Sequence, residues 1–321
     1  LEGNSSDYSG GGIHADFFND VLIEDTMIRG NHSALGGGGI ATGLSDVTIR
    51  DSAVTENSGR FTGGVSIGDT GSFLVERTTI SNNSSQEGTG GFGIFEAAGR
   101  ISSSTVARNE SESGVGGIHF GYSSGATVDN TTISGNTGLE AGGVGVGASE
   151  FDTNSVSFSN STIVDNTANR GAGIAGSGWL PLVDLQNSIL ALNNASFGGP
   201  DCIVESLEGV PISSGGHNIL GDSTDCSFES SAGDQVGTGD SPIDPGIDPL
   251  ADNGGATKNH ALLKGSPAID AGSPDAPGST DGACEPTDQR GMQRPRDGDG
   301  DGVARCDIGA FERARLALID I

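Results

Sequence analysis

Gly38-Gly39-Ile40-Ala41-Thr42-Gly43-Leu44-Ser45-Asp46-Val47-Thr48-Ile49-Arg50-Asp51-Ser52-Ala53-Val54-Thr55-Glu56-Asn57 contains every part of a unit that recurs along this chain. A glycine pair precedes an aliphatic residue, the alternating segment Val47-Thr48-Ile49 follows, and a second aliphatic, Val54, stands three places before Asn57. The glycine step returns at Gly11-Gly12-Ile13, Gly63-Gly64-Val65, Gly116-Gly117-Ile118 and Gly142-Gly143-Val144, with Gly90-Gly91-Phe92 and Ala172-Gly173-Ile174 as variants. The aliphatic–asparagine step returns at Ile28/Asn31, Ile80/Asn83, Val106/Asn109, Ile133/Asn136 and Ile163/Asn166, and from Asn31 onward the asparagines lie 26, 26, 26, 27 and 30 residues apart. Asn4 precedes Asn31 by 27 and joins the series, so the chain is expected to begin in mid-coil, as a fragment of a longer polypeptide. Ile189 with Asn193 reads as a further instance that has slipped by one residue.

Three short segments of period two per repeat, separated by Gly, Asn, Asp and Ser, describe one coil of a solenoid with three faces. No segment offers a capped apolar stripe of helical period. The expected fold is therefore all-β, a right-handed parallel β-helix of roughly 26-residue coils, in which like residues pile vertically and each coil buries its core against its neighbours. The composition agrees. With 33% hydrophobic and 5% aromatic residues and 56 glycines, the chain lacks the bulk of a compact globule, but a thin solenoid core needs only Val, Ile and small side chains.

The repeating asparagine suits a tight corner, where it tolerates a left-handed backbone and its amide can bond from coil to coil. Asn31-His32-Ser33, Asn83-Ser84-Ser85 and Asn109-Glu110-Ser111 also fit the glycosylation pattern, but the period continues at Asn57, Asn136 and Asn166, where that pattern fails. A structural ladder of Asn4, Asn31, Asn57, Asn83, Asn109, Asn136 and Asn166 is the expectation.

Forty-three acidic residues against 15 basic ones leave a net charge of −28, with Lys258 and Lys264 the only lysines. Such a surface repels nucleic acid and anionic headgroups and attracts cations. No apolar run is long enough for a membrane-spanning helix. Cys202, Cys226, Cys284 and Cys306 lie among Gly/Asp/Ser-rich loops and imply two disulfides in an oxidising compartment. Of three connectivities, the local one, Cys202–Cys226 with Cys284–Cys306, closes short loops; free thiols or zinc are the alternatives, though the spacings do not match paired zinc knuckles. An extracellular or cell-surface location follows.

Regularity fades after residue 196. Residues 197–245 read as a disulfide-bearing insertion of loop and strand, and 246–321 as a closing segment. That segment carries Asp248-Pro249-Leu250-Ala251-Asp252-Asn253-Gly254-Gly255-Ala256-Thr257, His260-Ala261-Leu262-Leu263, Gly265-Ser266-Pro267-Ala268-Ile269-Asp270-Ala271-Gly272, Asp288-Gln289-Arg290-Gly291, Arg294-Pro295 and Cys306-Asp307-Ile308-Gly309-Ala310-Phe311-Glu312. In this order the motifs resemble the bacterial choice-of-anchor Q domain proteins, which are similar to polymorphic outer-membrane repeat proteins. The resemblance covers essentially the whole chain and implies a secreted or cell-surface β-helix. Arg290 and Arg294 are expected to pair with Asp270, Asp288 or Glu312 and so close the final coil.

Asp297-Gly298-Asp299-Gly300-Asp301-Gly302 places carboxylates at alternate positions, as in the first half of an EF-hand loop. Asp297, Asp299 and Asp301, the Val303 carbonyl and Asp307 are the candidate ligands for Ca²⁺; Ile308 stands where the loop's last glutamate would be. Catalysis finds less support. A lyase needs a base and a cationic group, yet residues 1–196 contain no lysine, and His14, His32 and His119 are expected at separate places. A hydrolase needs two carboxylates at a defined separation, and the acids look scattered over solvated turns. Sugar-binding faces present aromatic platforms; Trp179, Tyr8 and Tyr122 are few, with Phe17, Phe18, Phe95 and Phe120 as possible additions. The reading is an extracellular structural or adhesive module whose partners are other chains or surface glycans and which can associate end to end or laterally through free sheet edges. A polysaccharide-binding or polysaccharide-degrading β-helix is the alternative.

Overall fold

The computed structural model describes residues 1–17, 20–69, 71–206, 209, 211–280 and 282–314. Strands are its only regular elements among these residues, and no helix is long and apolar enough to cross a membrane. Each coil lays down one strand per face. The first face holds Ile40–Gly43, Val65–Gly68 and Phe92–Phe95, the second Asp46–Arg50, Ser72–Glu76 and Ala98–Ser102, and the third Ala53–Thr55, Thr79–Ser81 and Thr105–Ala107. All pair in parallel with the coils above and below. Val144–Ser159 and Ile174–Gln186 run on from the first face into the second and join them in one sheet.

Period-two alternation turns every second side chain inward, and register stacks those side chains into files. On the first face Ile40, Val65, Phe92, Ile118, Val144, Ile174 and Cys202 lie in one such file. The third face stacks Ile28, Val54, Ile80, Val106, Ile133, Ile163, Leu190 and Leu220. These side chains are fully or almost fully buried. Each large aliphatic so buried contributes on the order of 2 kcal/mol. The file includes Leu190, not Ile189, so Asn193 follows its aliphatic by three like the rest and no slip exists.

Asparagines turn inward at the corner after the third face. In each, Oδ1 accepts from both the backbone N–H and Nδ2 of the asparagine one coil earlier; Asn83 N and Nδ2 lie 3.0 and 2.9 Å from Asn109 Oδ1. Nδ2 also donates to a carbonyl of the preceding coil, as Asn109 does to Ile80 at 3.0 Å. The ladder runs from Asn4 through Asn166 to Asn193. From Asn31 to Asn166 the side chains are buried, which leaves no room for a glycan on them. The left-handed residue of this corner is the one before the asparagine, including Glu56, Asn82, Arg108 and Asp165; the ladder asparagine itself is not left-handed, because it must point into the core.

The glycine pair and the asparagine prove to be one feature. A Cβ on Gly91 would lie 2.6 Å from Gly117 O and 2.8 Å from Asn109 Nδ2, and Gly64 and Gly117 are crowded in the same way by Asn83 and Asn136. The amide lies flat against a backbone that carries no side chain. A second ladder escaped sequence reading. Ser104 Oγ accepts from Thr78 N–H (3.1 Å), Ser161 Oγ from Thr131 N–H (3.3 Å) and Ser188 Oγ from Ser161 N–H (3.1 Å). Its signal was a Ser or Thr two places before each third-face aliphatic.

Parallel stacking does not stop at residue 196. Cys202–Ser206 and Ile212–Gly216 both pair with Ile174–Gln186, and Ile219–Leu220 pairs with Ile189–Ala191. The solenoid thus continues past residue 196, less regularly, as far as Gln235–Val236. Asp201 ends the asparagine ladder: its Oδ1 accepts from Asn193 N and Nδ2 (3.1 and 2.9 Å) and its Oδ2 from Asp222 N (2.6 Å). A carboxylate can accept at both oxygens where an amide cannot.

Burial pushes Asp201 up to about 6 despite these donors. Its folded value lies above its unfolded one, so the folded state holds the proton more tightly and stability is gained as pH falls from about 6 to about 4. Above that window the buried charge costs roughly 3 kcal/mol at most. Chemical denaturation of the protein and of Asp201→Asn across pH 4–7 is expected to show the variant gaining on the parent as pH rises; parallel curves would contradict this.

The two disulfides are Cys202–Cys226 and Cys284–Cys306. After Gln235–Val236 the chain leaves the coils. Instead of closing the final coil, residues 246–314 run back along the outside of the third face as a strap. Lys258 O accepts from Thr105 Oγ1, Thr257 Oγ1 donates to Ser103 O (2.9 Å), and Gly309 N donates to Asn187 O (2.8 Å). Ile308, Ala268 and Leu262 cover Val164, Ile189 and Ala191 in a second apolar core. The strap follows from composition: the outward residues of this face, Thr105, Thr132, Ser134 and Thr162, are small and let a chain lie flat on them.

Candidate functional site

Three features on the strap carry chemistry. The first is the acidic loop. Asp270, Asp297 and Asp299 each offer an oxygen, and these oxygens lie within 4.8 Å of one another. Sequence reading missed Asp270, which lies far from the loop in sequence. It was expected to pair with an arginine; instead its Oδ2 accepts from Gly298 and Asp299 N–H (both 3.0 Å) and its Oδ1 from Arg305 N–H (3.2 Å). Gly300 N–H donates to Asp297 Oδ1 (2.6 Å) and Asp301 N–H to Asp299 Oδ1 (2.8 Å), so the loop curls about its own carboxylates.

The other candidate ligands are placed differently. Asp301 Oδ1 accepts from Val303 N–H (2.7 Å). Asp307 is buried and turned away, accepting from Asp270 N–H at 2.7 Å and from Arg313 N–H at 2.5 Å. Among the described residues no arginine or lysine forms an ion pair with Asp270, Asp297 or Asp299. A triad of hard anionic oxygens without a cationic side chain suits Ca²⁺.

The second feature is a buried ionic knot. Arg294 and Glu312 meet at 3.1 Å with both side chains inaccessible. Arg294 also donates to the carbonyls of Asp307 and Gly309 (2.8 Å each) and to Asn130 Oδ1 of the solenoid (3.5 Å). Burial, with the neighbouring Glu312 charge, holds Asp307 well above the usual carboxylate range, and burial raises Glu312 likewise. Arg290 pairs with Asp288 at 2.6 Å and lies 3.6 Å over the Phe311 ring. Arg290 therefore fixes the strap to itself, and Arg294 fixes it to the coils as well.

A groove of about 900 Å³ between the second face and strap residues Gly278, Thr280, Ala283, Cys284, Glu285 and Pro286 is the third. Arg100 enters it, held at 2.6 Å by Asp129, whose side chain is only 5% exposed. Asp184, Ser157 and Glu285 also line it. Burial, reinforced by the Asp129 charge, raises Glu285. The acids that looked scattered are thus partly gathered by the strap.

The histidines lie apart. His14 is on the first face beside Asp16 (3.0 Å), and His32 is at the ladder corner beside Ser58 (3.0 Å). His119 packs edge-on against Phe95, with ring centres 5.6 Å apart, and burial pushes its imidazole down to about 4. Of the aromatic candidates, Phe120 points into the core, Phe17 and Tyr8 are exposed, and Phe95 neighbours Tyr122 at 6.4 Å. Phe18 lies outside the described residues.

The family described as the right handed beta helix region matches residues 62–232. No curated protein matches the chain. Among solved structures, similarity is found to "Crystal structure of pectate lyase Pel9A", with a TM-score of 0.42 and 14% identity over 96% of this chain and 84% of that one.

Proposed function

On the premise that this chain belongs to the right-handed β-helix family, we propose that it is an extracellular, non-catalytic scaffold: a rod of stacked coils stiffened by an external strap that Ca²⁺ fastens. One observation carries the reading, the polar seam of the strap along the third face. Gln289 alone bonds Ser104 O (3.1 Å), Thr105 Oγ1 (3.1 Å) and Thr132 Oγ1 (2.6 Å), reaching across two coils. His260 extends the seam: its Nδ1 donates to Asp248 O (2.7 Å) while Nε2 accepts from Ser134 Oγ (2.9 Å). Polar groups are spent on joining strap to rod, and two disulfides suit an oxidising exterior. Cell fractionation with thiol alkylation, and turnover assays on uronates and neutral glycans, test it. Surface or secreted protein with four unreactive cysteines and no turnover is expected; free thiols, a cytoplasmic location or glycan cleavage would overturn it.

Asp270, Asp297 and Asp299 would hold the ion, which would neutralise their mutual repulsion and tie Ala268–Gly272 to the loop. Calorimetric titration of chelator-treated protein with CaCl₂ is expected to give one site and a raised melting temperature. At a hundredfold excess over Kd the gain is about 2.7 kcal/mol. Asp270→Asn/Asp297→Asn/Asp299→Asn should abolish the heat and the gain, and Asp301→Asn should weaken them less. Absence of heat in the parent would remove calcium from the proposal.

A further inference from the structure

A smaller cavity, of about 250 Å³, lies where the strap crosses the third face, and it shares no lining residue with the acidic loop or the groove. Alternation turns Thr79, Ser81, Thr105 and Ala107 outward on this face. Thr105 and Ala107 are buried under the strap, while Thr79 and Ser81, one coil earlier, stay half-exposed. The cavity occupies that step. Its outer wall is fixed: Ala251 and Asn259 exchange backbone hydrogen bonds (3.1 Å each) and close residues 251–259 into a hairpin. Thr257 Oγ1 donates to Ser103 O (2.9 Å), and Gln289 Nε2 donates to Thr257 Oγ1 (2.9 Å) and Lys258 O (3.0 Å). The cavity is therefore in place before any ligand arrives, which lowers the ordering cost of binding.

Cations are scarce in this acidic chain, yet two of them line this cavity without a carboxylate partner. Arg29, Arg50, Arg60, Arg77, Arg100 and Arg170 of the coils each pair with an acid at 2.6–2.9 Å. Arg108, the remaining arginine of residues 1–196, forms no ion pair among the described residues, and neither does Lys258 opposite it. The left-handed corner explains Arg108. Its neighbours in that column, Asn82 and Gly135, carry no charge, and a Cβ on Gly135 would lie 3.5 Å from Arg108 Cγ, so the arginine stem lies over the glycine. Asp252, the acid in the lining, turns one oxygen back on its own loop, where Oδ1 accepts from Gly254 N–H (3.0 Å).

We propose that this cavity binds a small organic acid as its carboxylate monoanion. Arg108 presents a planar fork of donors and Lys258 a compact ammonium, a pair suited to the two oxygens of a carboxylate. One acid against two cations leaves a single positive charge in the lining, which matches a monoanion better than a phosphate dianion. Ser81 Oγ accepts from Asn82 Nδ2 (3.3 Å), so its own proton remains to donate to the ligand. Leu250, Ala107 and Ala256 give a short aliphatic stem something to pack against. The volume falls just under the usual range of ligand sites and restricts the ligand to a few carbons.

Saturation-transfer difference NMR on the full chain tests this, with propionate, butyrate and lactate titrated in turn, butyramide as the neutral comparison and inorganic phosphate as a competitor. A saturable signal from at least one carboxylate is expected, with none from butyramide and only weak displacement by phosphate. Arg108→Gln and Lys258→Gln should each raise the dissociation constant about tenfold or more, and Asp252→Asn, which removes the opposing charge, should lower it. Arg60→Ala, at a different corner, should bind like the parent. All these side chains are exposed, and circular dichroism checks that each variant folds; should Arg108→Gln or Lys258→Gln disturb the fold, Asp252→Asn and the other cation variant report instead. No saturable signal from any carboxylate, an equal signal from butyramide, displacement by phosphate at equal concentration, or binding unchanged in the cavity variants would overturn the assignment.

Discussion

Asn109→Ala is expected to lower stability by about 3–5 kcal/mol. Removing the amide strands the Asn83 N–H, which has no other partner there, and takes from Asn83 Nδ2 one of its two acceptors. It also leaves Ile80 O without the Nδ2 donor and opens a void against Gly91. A buried donor left unsatisfied costs about 1–3 kcal/mol, and the cavity adds to it. Asn109→Asp should be no better, because it sets a charged oxygen against Ile80 O. Chemical denaturation measures the loss. Asn82→Ala, on the exposed neighbouring residue, should cost far less; equal losses would mean that the ladder contributes nothing beyond filling space.

Arg294→Ala is expected to cost about 3–5 kcal/mol, because it leaves Glu312 buried without its cation and beside Asp307. The Asp307 and Gly309 carbonyls lose donors at the same time. The effect should concentrate in the strap. Hydrogen exchange at Gly309 N, which donates to Asn187 O, should accelerate well before exchange at Val65 N, deep in the coils. Arg294→Ala/Glu312→Gln should recover part of the loss by removing the orphaned charge. If the double variant were as unstable as the single one, packing of the guanidinium rather than its charge would be what matters.

Much of the architecture was legible from the residues because a solenoid repeats its environment. Each coil meets the same neighbours as the last, so Val54, Ile80 and Val106 recur with Asn57, Asn83 and Asn109 at constant spacing. At some positions spacing alone is ambiguous. Ile189 and Leu190 are both aliphatic, and only pairing with Thr162 and Ile163 tells which one points inward. The left-handed corner residue varies among Glu56, Asn82, Arg108 and Asp165, and such mixed chemistry hides a shared backbone conformation.

The residues by themselves determined the coil length, the inward files and the asparagine series, because each depends on short-range alternation or fixed-interval repetition; for the cysteines they favoured the local pairing, which closes short loops, over two other connectivities. Tertiary structure decided everything that joins strap to rod: Gln289 against Ser104, Arg294 against Asn130, Asp270 completing the acidic loop, and Glu285 walling the groove above Arg100. These three contacts of strap on rod link residues more than a hundred positions apart, and Asp270 meets its loop across a fold of the strap itself. No periodic signal crosses such gaps. The return path depends on which outer face is flat and small enough to be covered, a property of the assembled surface.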